Sequence, residues 1–79
     1  MNQTELNQAA KAAVTDEASA LAFAKEHKTS QTPEEVAKAL YSPEGANLSL
    51  EQVSLVLFSR EGAELSVEQV LKAISVALQ

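Results

Sequence analysis

One spacing constrains this chain more than any other feature: the same helix-opening text recurs every 17 residues, at Thr32, Ser49 and Ser66. Thr32-Pro-Glu-Glu-Val36, Ser49-Leu-Glu-Gln-Val53 and Ser66-Val-Glu-Gln-Val70 align without a gap. The first two copies also close alike, as Ser42-Pro-Glu-Gly-Ala-Asn-Leu48 and Ser59-Arg-Glu-Gly-Ala-Glu-Leu65. A helix-plus-turn unit repeated at fixed period restricts the fold to helices stacked on one another. Each opening Ser or Thr is an N-cap, whose side-chain oxygen accepts a bond from an otherwise unpaired backbone N–H. Glu35, Gln52 and Gln69 follow three residues later and complete a capping box. Pro33 sits at the first helical position, where its missing N–H costs nothing. Leu48 and Leu65 lie five residues before Val53 and Val70, the spacing of a hydrophobic staple. Pro43 is expected to stop the first helix at Tyr41 or Ser42, and Gly62 to end the second in a left-handed turn. The resulting helices span about 33–41, 50–59 and 67–78.

The same alignment yields a core. The fourth position after each cap is Val36, Val53 or Val70, the seventh Ala39, Val56 or Ala73, and the eighth Leu40, Leu57 or Ile74. These positions share one helical face. Tyr41 and Phe58 occupy the ninth position and add aromatic bulk. Residues 1–31 differ: they are rich in alanine, with Leu6, Val14, Leu21 and Phe23 as larger apolar anchors. Their helix propensity is high. They read best as helices at about 4–13 and 16–28, with Thr15-Asp16-Glu17 as a cap, although one continuous helix fits the same residues. Val53-Ser-Leu-Val-Leu-Phe58 also fits a short buried strand, but the in-register cap before it and its helical neighbours favour a helix. The expected fold is all-α: one domain over 1–79, a small bundle of four to five short helices. Residues 1–31 form its alanine-rich segment and 32–79 its three 17-residue units, closed into an array rather than an open solenoid.

Composition narrows the function. Seventy-nine residues without cysteine offer neither disulfides nor thiolate metal sites, so packed faces, caps or a partner must supply stability. The net charge is −5, of which residues 32–79 carry −4. Such a surface repels phosphate backbones and anionic membranes, so neither direct nucleic-acid binding nor membrane association is expected. The N-terminus lacks the basic and apolar regions of a signal peptide. A cytoplasmic setting, bacterial or viral, is the expectation. Catalytic chemistry is thin. His27, the one histidine, reads as a solvated residue suited to a helix C-terminus. Adjacent Glu34 and Glu35 point about a hundred degrees apart on a helix and belong to its first turn. No phosphate loop or metal-ligand spacing is present, and no enzyme activity, cofactor or metal is expected.

Leu55 breaks the pattern. Its equivalents, Lys38 and Lys72, read as solvent-facing, whereas Leu55 makes the middle helix apolar almost all round. Such a helix is usually buried on several sides. On that reading the middle helix is the central element, with the N-terminal helices on one side and the third copy on the other. The functional alternative leaves Leu55, with Phe58, Tyr41 and Leu71, as an exposed patch that binds another protein or a second copy of the chain. The third copy lacks a closing turn and runs apolar to Val76-Ala77-Leu78, expected to pack on the N-terminal helices or enter a partner's groove. The leading function is therefore a non-enzymatic protein-interaction module: adaptor, inhibitor or regulatory subunit. Homo-oligomeric assembly is one alternative. Another is an acidic nucleic-acid mimic, using Glu34, Glu51, Glu68, Glu44 and Glu61 as a charge ladder. The unit is shorter than the common two-helix repeats, so their functions do not carry over.

Overall fold

Five capped helices and no strand make up the computed structural model, which describes residues 1–79. They are α1 (Gln3–Ala13), α2 (Glu17–His27), α3 (Pro33–Tyr41), α4 (Leu50–Phe58) and α5 (Val67–Ala77). All five open with a reciprocal capping box. Asn2 with Glu5 starts α1, Asp16 with Ser19 starts α2, and Thr32, Ser49 and Ser66 start α3, α4 and α5 with Glu35, Gln52 and Gln69. Each box satisfies two backbone donors that a helix start otherwise leaves unpaired. The N-terminal segment is therefore two helices, and the polar text at Asn2 contains a complete capping box.

The helix ends are built by the returning chain. After α3, the Ala46 N–H donates to Ala39 O and the Leu48 N–H to Leu40 O, each at 2.9 Å. After α4, Ala63 donates to Val56 O at 3.2 Å and Leu65 to Leu57 O at 2.9 Å. Terminal carbonyls that would otherwise be orphaned are thus paired at corresponding residues of the two turns. Ser42 and Ser59 are extended C-caps, so α3 stops where Pro43 requires and α4 stops the same way without a proline. The expected role of Gly62 is corrected. Neither glycine has positive φ; the left-handed residues are Asn47 (φ 56°) and Glu64 (φ 54°). Gly45 and Gly62 are needed for space, since a Cβ would collide with the carbonyl oxygen of Ala39 or Val56 beneath it.

The core is one cluster of fifteen buried hydrophobic residues; it holds the expected fourth and seventh positions with Leu40 and Leu57, whereas Ile74 and Tyr41 are half-buried against it and Phe58 is exposed. Leu6 and Ala10 join it from α1, and Ala20, Phe23 and Ala24 from α2. The centre of the bundle is α3, which touches all four other helices. This corrects the expectation that α4 is central: α4 lies to one side, against α2, α3 and α5. The chain's last helix is corrected too, because α5 packs on α3 and α4 and touches neither α1 nor α2. Extents of 27 × 26 × 23 Å describe a compact bundle, not an elongated one. No helix is long and apolar enough to cross a membrane.

Candidate interaction surface

Leu55 is not core. It lies outside the buried cluster, on the side of α4 that borders α5, and 55% of it is exposed. Phe58, one turn further on the same face, is 55% exposed. Across from them, α5 presents Val67 and Leu71, at 58% and 65% exposure. These four side chains, with Ser54 and Val70, line a single open groove between the two helices. The geometry follows from the eight-residue turn between α4 and α5, which brings Leu65 back to Leu57 and starts α5 beside the last turn of α4. Helical spacing then aligns Leu55 and Phe58 in one row and Val67 and Leu71 in another. Val70 forms the floor, since it is buried in the core beneath them.

Three of the residues read from the sequence as an apolar patch are therefore brought together: Leu55, Phe58 and Leu71. Tyr41 is not among the groove residues; it is half-buried and packs against the core. Val67 was missed. As the first helical residue after Ser66 it reads as a helix starter, and only its spacing of four from Leu71 places the two on one face. Position also matters within the 17-residue alignment. Ala37 is fully buried in α3, whereas its equivalents Ser54 and Leu71 face the groove.

Around the groove the charges divide into paired and free. Arg60 reaches Glu64 at 3.9 Å, and Lys72 reaches Glu34 on α3 at the same distance. Glu51 and Glu68 are exposed and make no ion pair. Glu51 stands one turn before Leu55 on α4, and Glu68 one turn before Leu71 on α5. Glu44 lies elsewhere, beside Thr4, Asn7, Gln8 and Lys11 of α1. Glu34 and Glu35 diverge as expected for successive helix residues: one pairs with Lys72, while the other accepts from the Thr32 N–H at 2.9 Å and from Gln31 at 3.0 Å. The Thr32 N–H holds the Glu35 carboxyl below the usual glutamate range, and the Ser19 N–H does the same for Asp16.

His27 corrects another expectation. Its side chain is only 13% exposed and its ring lies 4.6 Å from that of Phe23, tilted by 49°. Spacing of four along α2 places the two rings side by side on one helical face. Glu26 lies 3.8 Å from its Nε2. The ring is a packing element against Phe23, not a solvated end-of-helix residue.

The chain matches no protein-family model, and comparison with curated proteins and with solved structures finds no significant match.

Proposed function

We propose that this protein is a non-enzymatic interaction module that docks another protein through the groove between α4 and α5. One observation carries the reading: four large apolar side chains, each more than half exposed, converge on one groove although the core is complete without them. Scattered apolar residues on a surface need no explanation, but a contiguous set does. Burying a residue of this kind is worth about 1.5–3 kcal/mol, so an unoccupied groove leaves much stabilisation for a partner to supply. On this reading the 17-residue unit is scaffold. Its matching turns, with the same bonds at Ala46 and Ala63 and at Leu48 and Leu65, support its role as a structural repeat that presents the last two helices side by side.

The test is capture from an extract of the native host on immobilised protein, comparing wild type with Leu55→Lys and Leu71→Lys. Lysine is already the residue at the positions equivalent to Leu55, and its helix propensity is close to that of leucine. The variants should melt within a few degrees of wild type and lose a specifically retained protein. Retention of the same proteins by all three would contradict the reading, and so would unfolding of either variant.

A further inference from the structure

Resting on that docking reading, we infer that the occupant of the groove is an amphipathic α-helix with a basic polar face, carried by another protein. Shape is the first argument. Leu55 and Phe58 on α4 and Val67 and Leu71 on α5 form two rows over a floor of Val70 and Ser54. A trough between two packed helices accepts the ridge of a third, with apolar anchors at helical spacing. The chain has no strand, so no sheet edge is offered to an extended peptide.

Charge is the second argument. The two cations of α4, α5 and the turn joining them, Arg60 and Lys72, each stand 3.9 Å from a carboxylate, of Glu64 and Glu34. Glu51 and Glu68 remain unpaired, each one turn from a groove leucine. Residues 32–79 carry −4 of the chain's −5. A helix with Lys or Arg flanking its apolar row would meet these carboxylates at the rim, where complementary charge selects partner and orientation. A second copy of this chain would bring the same acidic rim against itself, and like charges across an interface are unfavourable. An anionic lipid surface meets the same repulsion.

Calorimetric titration tests this with two helical peptides of about 18 residues. Both carry leucines at i, i+3, i+4 and i+7; one has lysines on its polar face and the other glutamines. The lysine peptide should bind one to one and about tenfold more tightly at low salt, with the advantage shrinking as salt rises. Leu55→Gln and Leu71→Gln, which leave the charge unchanged, should each weaken it by about tenfold. Glu51→Gln combined with Glu68→Gln should erase the lysine advantage, whereas Glu17→Gln on α2 should not.

Equal binding of both peptides, lost in Leu55→Gln, would overturn the basic-helix inference and leave the docking reading standing. Lysine-peptide binding indifferent to Leu55→Gln and Leu71→Gln, or as sensitive to Glu17→Gln as to the rim pair, would assign it to the acidic surface at large and overturn the inference. A concentration-dependent dimer abolished by Leu55→Gln would give the groove to a second copy instead. A monomer that binds neither peptide would overturn the inference alone, because capture from the host extract judges the docking reading separately.

Discussion

Gly45 and Gly62 do their work by lacking a Cβ, not by adopting an unusual backbone. The returning chain passes directly over a carbonyl of the helix just completed, so alanine at either site must push Ala39 or Val56 aside. Gly45→Ala and Gly62→Ala should each destabilise the fold by about 1–3 kcal/mol in urea unfolding. Left-handed conformation falls instead to Asn47 and Glu64. Asparagine tolerates it because its short amide bonds locally, while glutamate gains no such relief. Glu64→Asn, which borrows the residue of the equivalent turn, should raise stability by about 0.5 kcal/mol, and the ion pair it removes is exposed and worth little. The recurrence of Glu-Gly-Ala in both turns was plain in the sequence. Which of the residues after it carries the positive φ was not, because that depends on where the chain must turn back to pair with the helix.

At the scale of the helix, caps made the architecture legible. Ser or Thr followed by Glu or Gln three residues later announces a helix start independently of tertiary contacts, and the starts at Pro33, Leu50 and Val67 follow directly. The Asn2 box was harder to see because polar Gln3-Thr4-Glu5 follows it and Leu6 is the only large apolar residue of α1. Ser49→Ala or Ser66→Ala should cost about 1 kcal/mol each. Two boxes also create a pH dependence. The carboxyls of Asp16 and Glu35 are held below their ordinary values by backbone N–H groups, so they bind protons less readily in the folded chain than in the unfolded one. Their contribution is present above the unfolded values, near pH 4, and is lost as pH falls through the lower folded values. Asp16→Asn and Glu35→Gln should therefore flatten the acid limb of a stability–pH curve below about pH 4.5. An acid limb as steep as that of wild type would contradict the assignment.

In the whole molecule, residues of similar character are sorted by the path of the chain. Leu55 and Leu57 are neighbours in an apolar helix, yet Leu57 is fully buried and Leu55 is not. Periodicity places them on different faces of α4; it does not say which faces other helices cover. The packing of α2, α3 and α5 decides that, and it leaves the Leu55–Phe58 face uncovered. Tyr41 and Phe58 diverge for the same reason, since the first packs on the core and the second lines the groove. Leu57→Ala should cost about 2–5 kcal/mol, a large share of the roughly 4–12 kcal/mol available to a chain of this size. Leu55→Gln should cost no more than about 0.5 kcal/mol.

The molecule divides into a core that maintains the fold and an apolar face proposed to receive a partner helix. The most direct test of that division follows the backbone amide NMR signals of the isotope-labelled protein during titration with the lysine-faced helical peptide. Signals of Ser54, Leu55, Phe58, Val67 and Leu71 should shift together and saturably while those of α1 and the first turn of α2 stay in place. Shifts centred on α1 or α2, or spread evenly over the acidic surface, would contradict it.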